Sequence, residues 1–257
     1  MHLHATISVI FYGRYPELCR RFLTSLYRFT PKDRFTLRVG LNEACPETVD
    51  LVQSAAVEHG NLAIWSEARN VFKDPMMRRL LYDQSLETEW AIWFDDDSYP
   101  YRGDWLQSLA LKIESEPEVD MWGGMHYTGA DKTAEQFIRS AGWFRGLPFN
   151  YVTPKGELRD EPVLTFIAGG FWACRTRVLQ KLDWPDRRLV INGDDCFFGE
   201  ALRQNGYTIG RFTSGVRINT EPRRWPADTP VEYRMTTAES GASDKGSSLP
   251  SPTECRS

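Results

Sequence analysis

Three consecutive aspartates follow an apolar segment in the first half of the sequence. Residues 90–94 are all apolar, and Asp95, Asp96 and Asp97 come directly after them. Carboxylates so close together repel each other unless a cation or a shared proton compensates their charge. Because side chains two apart on a strand point to one side, Asp95 and Asp97 are predicted to bind Mg²⁺ or Mn²⁺. Such ions usually hold phosphates, so the sequence predicts a site for a phosphate-bearing ligand.

A second acidic pair, Asp194 and Asp195, precedes a helical pattern that ends at Gly206. A carboxylate within hydrogen-bond reach of a hydroxyl group can act as a general base. Aspartate is also a favoured helix N-cap residue, so either side chain could simply cap the helix. The three aspartates of the first site could likewise form a solvated turn, and both alternatives stay open at this point.

The segments that must position these carboxylates alternate between strand-like and helical patterns. This alternation predicts an α/β protein with a largely parallel central sheet flanked by helices. Strands are predicted over residues 5–11, 35–41, 62–65, 90–94, 119–122, 164–168 and 207–212. Helices are predicted from Pro16 up to Pro31, over 45–59, from Asp74-Pro75 onward, over 105–113 after an Asp104 cap, near 133–141, and up to Gly206. Residues 128–162 give no secure pattern.

Composition restricts the class of protein. The chain has 257 residues, of which 41% are hydrophobic and 26% charged, and this predicts a single globular unit with two lobes. A net charge of −4 gives no bulk attraction to nucleic acid or to acidic membranes. Residues 238–257 contain hardly any large apolar group, so we expect a disordered tail there.

Cysteine usage and hydropathy indicate a cytoplasmic protein. The cysteines are odd in number, widely spaced and without a Cys-x-x-Cys pair, which predicts free thiols in a reducing compartment. They are Cys19, Cys45, Cys174, Cys196 and Cys255. No export signal is expected at the N-terminus, and no apolar run approaches the roughly 18 to 20 residues of a membrane span.

The order of these segments resembles that of nucleotide-sugar glycosyltransferases with the GT-A fold, in particular the large inverting group called family 2. The resemblance covers about residues 5–215. It rests on the following segments, in this order: Tyr12-Gly13, Asn42-Glu43, Phe94-Asp95-Asp96-Asp97, Gly169-Gly170-Phe171, and Gly193-Asp194-Asp195 followed by Glu200-Ala201-Leu202 and Gly206. The resemblance implies a Rossmann-like sheet and a sugar transferred from a UDP-sugar donor with Mn²⁺ or Mg²⁺, with inversion at the anomeric carbon.

The resemblance also implies a role for each of these segments. Tyr12 and Gly13, with Asn42 or Glu43, would surround the nucleoside of the donor. Asp95 and Asp97 would hold the metal ion on the diphosphate, with Asp96 also in the donor site. Gly169-Gly170 would let the backbone approach the sugar, with Gly170 in the donor site, although the doublet could also break the strand as a bulge or tight turn. Asp195 would be the catalytic base, and Asp194 stands where the family has glutamate. We expect residues 1–120 to form the donor lobe and 121–237 the acceptor and catalytic-base lobe.

Other site residues and other protein classes stay open. Trp122, Trp143 and Trp172 could stack on a sugar or belong to the core. None of the four histidines lies after Asp195, so a late third metal ligand is not identified, and His126 has only a weak claim to the role. A metal-dependent nucleotidyltransferase would use a similar acidic sheet edge, and a non-catalytic carbohydrate-binding protein would keep the fold without needing Asp195.

The acceptor is the least constrained part of the function. The chain resembles the soluble phage and TET-associated glycosyltransferases that modify hydroxymethylated pyrimidines in DNA, through its compactness and the sequence Trp93-Phe94-Asp95-Asp96-Asp97-Ser98. Carbohydrate, lipid and peptide acceptors remain alternatives. Basic pairs could bind the phosphates of DNA or of the donor. They are Arg78-Arg79, Arg187-Arg188 and Arg223-Arg224.

Overall fold

A computed structural model of the chain describes residues 3–191, 193–218 and 232–233. Its centre is a seven-stranded sheet with the order β3-β2-β1-β4-β7-β6-β9. The strands of this sheet are β1 (Ala5–Gly13), β2 (Phe35–Ala44), β3 (Leu62–Glu67), β4 (Trp90–Asp95), β6 (Met121–Gly129), β7 (Val163–Arg175) and β9 (Ile209–Arg211). Two small pairs lie outside it: β5 (Tyr99–Pro100) with β10 (Val216–Arg217), and β8 (Leu189–Ile191) with β11 (Glu232–Tyr233).

Helices cover both faces of the sheet. They are α1 (Pro16–Phe29), α2 (Pro46–His59), α3 (Lys73–Tyr82), α4 (Trp105–Ser115), α5 (Lys132–Arg139), α6 (Thr176–Leu182) and α7 (Asp194–Gln204), with a 3₁₀ turn at Lys32–Arg34. One hydrophobic cluster joins α1, α2 and α4 to one face, and a second joins α3, α5, α6 and α7 to the other. This arrangement confirms the predicted α/β class with helices on both faces of the sheet.

The side chains of β4 point alternately to the two faces of the sheet, so this one strand contributes to both hydrophobic clusters. Trp90, Ile92 and Phe94 belong to the first cluster, whereas Ala91 and Trp93 belong to the second. Because β4 is covered on both faces, its sequence is continuously apolar until the first aspartate. The three tryptophans whose role was open, Trp122, Trp143 and Trp172, are also buried in these clusters.

Strand direction is mixed around β7. β1, β2, β3 and β4 are parallel, and β9 is parallel to β6, which confirms the largely parallel sheet. β7 runs antiparallel to both of its neighbours, β4 and β6. The sheet therefore takes strands from both predicted lobes, and the division into donor and acceptor lobes stays a prediction.

Several boundaries agree with the sequence. α1 begins at Pro16, as expected from a proline at the first helical position. α2 is closed by Gly60, which has the left-handed φ of 73° that glycine accepts without strain. Asp104 does precede α4, but its carboxylate pairs with Arg102 rather than capping the helix. The short elements α6 and β8 were not predicted.

The glycine doublet in β7 does not end the strand, so that prediction was wrong. β7 continues through Gly169 and Gly170, but its pairing with β6 shifts there: Gly123 pairs with Trp172, and Met125 pairs with Ile167. More residues lie between these partners on β7 than on β6, so the doublet forms a bulge, one of the two local alternatives considered above.

The cysteines and the membrane prediction are consistent with this fold as far as it is described. Cys19, Cys45, Cys174 and Cys196 are free thiols. Within residues 3–191 and 193–218, no helix is long and apolar enough to cross a membrane. Cys255, Arg223, Arg224 and the predicted tail over 238–257 lie outside the described residues.

Candidate active site

The carboxyl ends of β1, β2 and β4 meet at one edge of the sheet. Tyr12 pairs with Asn42 across β1 and β2, and Ile10 pairs with Asp95 across β1 and β4. In open α/β sheets, ligands bind outside this edge. A cavity of about 180 Å³ lies there, and we call it the donor cavity.

Half of the predicted site residues line the donor cavity. They are Tyr12, Asn42, Asp95, Asp96 and Asp194. Asn70, Phe72 and Lys73 also line the cavity and were not predicted. A signal for them was present, because they follow the carboxyl end of β3 and so belong to the same sheet edge.

Asn42 holds the segment before α3 in place. Its side-chain oxygen accepts a hydrogen bond from the Val71 N–H at 2.9 Å. Its side-chain nitrogen donates to Asn70 Oδ1 at 2.9 Å and to the Phe72 carbonyl at 3.3 Å. Asn42 is 3% exposed, so this amide acts as a structural support at the cavity wall.

A second β2 residue holds the other end of α3. The Arg38 guanidinium donates to the carbonyls of Leu80, Gln84 and Ser85 at 2.6, 2.9 and 2.5 Å. Carbonyls at the end of a helix lack intrahelical partners, and a cation there also interacts favourably with the helix dipole. Helix α3 is thus fixed to β2 at both ends.

The first residue of α3 carries the cation of the site. Lys73 Nζ lies 3.1 Å from Asp194 Oδ2 and 3.5 Å from Asp95 Oδ1. These contacts join α3 to the start of α7 and to the end of β4. Burial alone would lower the pKa of Lys73, but the charges of Asp194 and Asp95 raise it, so the ammonium group stays protonated.

Asp74, the second residue of α3, is a further carboxyl group of the site that was not predicted. It is fully buried, and neither oxygen has a hydrogen-bond partner among the described residues. Burial raises the pKa of Asp74 well above its ordinary value, the charge of Asp194 raises it further, and Lys73 opposes this effect. Asp74 therefore favours the protonated form, which reduces the negative charge around Lys73.

Asp195 is held by backbone N–H groups on two elements. Oδ2 accepts a hydrogen bond from the N–H of Gly169 in β7 at 3.2 Å, and Oδ1 accepts one from the Cys196 N–H at 3.0 Å. A Cβ atom on Gly169 would lie 3.0 Å from Lys73 Nζ, so this glycine permits the close approach of β7 to the site. Burial raises the pKa of Asp195, and Asp194 adds to this, whereas Lys73 and the two N–H groups lower it.

The triple aspartate does not continue the strand alternation. β4 ends at Asp95, and the Ser98 N–H donates to the Asp95 carbonyl at 2.9 Å, which closes a turn. The donor cavity is lined by Asp95 and Asp96, while Asp97 is fully buried and is not among its lining residues. Strand alternation therefore does not apply to Asp97, and the placement of Asp95 and Asp97 on one side stays a prediction. The metal-binding role of Asp97 stays a prediction.

The remaining predicted residues lie near the donor cavity without lining it. Gly13 and Glu43 have left-handed φ values of 62° and 54°, and Glu43 is the extra residue where the β1–β2 pairing shifts. Gly170 is buried in β7, and its neighbour Gly169 makes the contact with Asp195. His126 is exposed on β6 and stacks on Phe166. The roles of Gly13, Glu43 and Gly170 stay predictions.

The carboxylates at the cavity wall suit a divalent cation that also binds phosphate oxygens. No group of three or more His, Cys, Asp or Glu side chains within the described ranges is arranged to hold a metal alone. Mg²⁺ sites that bind substrate phosphates typically use only one or two protein carboxylates, with water and phosphate oxygens as the other ligands. Asp95 and Asp96 at the cavity wall fit this requirement.

Arginines that could bind phosphates already make ion pairs in the described part of the chain. They are Arg78 and Arg187 with Asp183, Arg79 with Asp83, and Arg188 with Asp186. The side chains of Arg78 and Arg188 are 17% and 11% exposed. These two guanidinium groups therefore support the fold rather than form an open basic surface.

Several solved structures of other proteins have a similar fold. A Pyrobaculum calidifontis mannosyltransferase in complex with GDP-Man and Mn²⁺ matches 83% of this chain and 56% of its own, at 18% identity and a TM-score of 0.57. S. aureus TarS 1–349 matches 82% of this chain and 58% of its own, at 17% identity and a TM-score of 0.54. GalNAc-T7 with UDP, GalNAc and Mn²⁺ matches 81% of this chain and 42% of its own, at 14% identity and a TM-score of 0.59.

The chain has the GT-A fold. This confirms the predicted fold class. The chain spans between 42% and 58% of the length of these structures. No protein-family model and no curated protein sequence matches it.

Removal of the Lys73 charge should destabilise the protein. We expect Lys73→Met to lower the free energy of unfolding at pH 7 by about 3 kcal/mol, because Asp95 and Asp194 lose their common counter-charge in a poorly solvated site. Urea denaturation of the variant and the wild type at pH 7 measures this loss.

Lys112→Met is the matched control. Lys112 pairs with Glu116 on one helix face, and its side chain is 44% exposed. Its substitution should cost less than about 1 kcal/mol. Equal losses for the two variants would contradict the role assigned to Lys73.

Proposed function

We propose that this protein is a metal-dependent glycosyltransferase that moves a sugar from a UDP-sugar to an acceptor hydroxyl group. The observation that carries the proposal is the meeting of Asp95, Lys73 and Asp194 beside a cavity at the carboxyl edge of a GT-A sheet. Structural neighbours that were solved with GDP-Man or with UDP, and with Mn²⁺, support the same class.

The donor would lie with its nucleoside between β1 and the segment before α3. Tyr12, Asn42, Asn70 and Phe72 give this end of the cavity an aromatic and amide character. The charged end holds Lys73, Asp95 and Asp194 and would receive the diphosphate. Lys73 would then exchange part of its interaction with the aspartates for one with the phosphate oxygens.

Asp95, with Asp96 or Asp97, would hold Mn²⁺ or Mg²⁺. When bound, the ion stabilises the negative charge that develops on the leaving nucleoside diphosphate. Asp95 is oriented for this role, because Trp93 Nε1 donates a hydrogen bond to its Oδ1 at 3.1 Å. Lys73 approaches the same oxygen and limits the charge repulsion in the free protein.

Asp195 would remove the proton from the acceptor hydroxyl group. Its raised pKa makes it a better proton acceptor than an ordinary aspartate, and the Gly169 and Cys196 N–H groups fix its orientation. A base that activates the acceptor on the side of the sugar opposite the leaving group produces inversion in a single displacement. The inverting mechanism is therefore part of this proposal.

The acceptor would approach from the other side of the start of α7. A second cavity, of about 530 Å³, is lined there by Gly193 and Cys196, the neighbours of the two aspartates. Asp131 and Glu161 also line it. Carboxylates bind hydroxyl groups well and repel phosphates, so this wall favours a hydroxyl-bearing part of the acceptor without its own phosphate.

A 5-hydroxymethylpyrimidine in DNA is the narrower acceptor candidate, and it rests on the sequence resemblance alone. The base would have to leave the duplex to reach Asp195, at a cost of a few kcal/mol. Arg78 and Arg188 are engaged within the fold and would contribute little to offset that cost. Carbohydrate, lipid and peptide hydroxyl groups are the alternative acceptors.

Hydrolysis of a UDP-sugar distinguishes a glycosyltransferase from a protein that only binds the ligand. We expect Asp195→Asn to lower turnover by about 10²- to 10⁴-fold with UDP affinity retained, because asparagine can still accept the Gly169 hydrogen bond but cannot take a proton. In the wild type, activity should rise with pH through a pKa above the ordinary value for aspartate, since only the ionised carboxylate is a base. This acidic limb should be absent in the variant.

Asp104→Asn is the control for this experiment. Asp104 also precedes a helix, but it pairs with Arg102 at the surface and does not line the donor cavity. The turnover of the Asp104→Asn variant should equal that of the wild type. Near-native turnover of Asp195→Asn would remove Asp195 from the mechanism, and an absence of any sugar release from UDP-sugars would favour a carbohydrate-binding protein.

Metal dependence should be lost when the cavity carboxylate is neutralised. We expect Asp95→Asn to bind UDP at least about 10-fold more weakly than the wild type in Mn²⁺, because a neutral amide is a poorer metal ligand than a carboxylate. In EDTA the two proteins should bind UDP alike. Calorimetry with Asp97→Asn in parallel assigns the second ligand: loss of the Mn²⁺ effect identifies Asp97, and wild-type behaviour leaves Asp96.

The DNA acceptor has a direct test. The protein is incubated with hydroxymethylated or unmodified DNA, a panel of UDP-sugars and Mn²⁺. The DNA is then digested to nucleosides, whose masses are measured by mass spectrometry. The proposal predicts a hexose or pentose adduct on hydroxymethylated DNA only. If the enzyme hydrolyses a UDP-sugar but forms no adduct, DNA is not the acceptor, and carbohydrate, lipid and peptide acceptors remain.

A further inference from the structure

Phe72 has a backbone conformation that side chains rarely accept. Its φ is 67° and its ψ is 178°, a region that is populated almost only by glycine. Such a conformation persists only where the surroundings fix it. Here the Phe72 N–H donates to Asn70 Oδ1 at 2.8 Å, and its carbonyl accepts from Asn42 at 3.3 Å.

A glycine at this position would make the same backbone hydrogen bonds without strain. The aromatic ring must therefore contribute something that offsets the strained backbone. Core packing does not explain it: among the described residues, Phe72 belongs to neither hydrophobic cluster and is not packed against either. Within the same part of the chain, its ring stacks on no other aromatic ring.

The position of Phe72 indicates what the ring is for. It is half-buried and lines the donor cavity next to Lys73, which lies at the charged end. Asn42 and Asn70, which line the same cavity, hydrogen-bond to the Phe72 backbone, and Tyr12 pairs with Asn42 across β1 and β2. A ligand with a flat, partly polar ring beside Phe72 and a diphosphate beside Lys73 would fit this cavity.

We propose that the Phe72 ring is the stacking surface for the nucleobase of the donor. Every nucleobase has an aromatic face, and stacking on an aromatic side chain contributes appreciably to binding. With a base on Phe72, the diphosphate attached to it lies toward Lys73, the next residue in the chain. The inference rests on the proposed function, because it names the part of the donor that Phe72 recognises.

Three substitutions separate the ring from the backbone strain. Phe72→Ala removes the ring and keeps the strain, Phe72→Gly removes both, and Phe72→Tyr keeps both. Calorimetry with UDP in Mn²⁺ should show a loss of about 5- to 150-fold in affinity for the Ala and Gly variants and wild-type affinity for the Tyr variant. Pyrophosphate lacks a base, so its affinity should be the same in all four proteins.

Thermal unfolding of the same proteins tests the strain. Glycine normally destabilises a protein relative to alanine. At position 72 we expect the reverse, with the Gly variant melting above the Ala variant. A Gly variant that melts below the Ala variant would overturn the inference, and so would a Gly variant that binds UDP as tightly as the wild type.

Failure of the proposed function gives a different result. A wild-type protein that binds neither UDP nor pyrophosphate in Mn²⁺ would refute the donor site itself, and the inference on Phe72 with it. A wild type that binds both ligands, with UDP binding unchanged in the Ala and Gly variants, would refute only the stacking role of Phe72.

Discussion

The site depends on one ammonium group among several carboxylates. Lys73 contacts Asp95 and Asp194 directly, and the charges of Asp195 and Asp74 also act on it. Like charges at such distances repel by kcal/mol amounts in a poorly solvated environment, so these elements can meet only if a cation lies between them. Lys73 supplies that cation before any ligand arrives, and burial raises the pKa of Asp74, which favours its uncharged form. The fold can therefore keep an acidic site assembled without a bound metal.

The position of Lys73 is in turn set by β2. Arg38 and Asn42 lie four residues apart on this strand, where alternation places them on the same face. One binds the carbonyls at the end of α3, and the other binds the segment before it. The lysine and the strained Phe72 are thus fixed relative to the sheet by two buried polar side chains. Such pre-organisation limits the reorganisation needed when a charged ligand binds.

The sequence predicted the parts of this site that local patterns encode. The apolar run of β4 and the acidic residues after it located the sheet edge, and Pro16 and Gly60 located helix ends. Strand alternation does not extend to Asp97, because β4 ends at Asp95 in a turn closed by a hydrogen bond from the Ser98 N–H. Lys73 and Phe72 were missed although they follow the carboxyl end of β3, because the contacts that fix this segment come from Asn42 in β2, far away in the chain. The bulge in β7 was visible only as two glycines, whose conformation is set by β6 and α7.

The late position of α7 has a consequence for how the chain matures on the ribosome. β1, β2, β4 and α3 are synthesised first and bring together Lys73 and Asp95. When α7 follows and docks, Asp194 meets Lys73, and the ion pair between them offsets the repulsion from Asp95. The apolar face of α7, including Phe197 and Leu202, packs in the second hydrophobic cluster and drives this step. A nascent chain without α7 would leave Lys73 paired with Asp95 alone and would lack the proposed catalytic base.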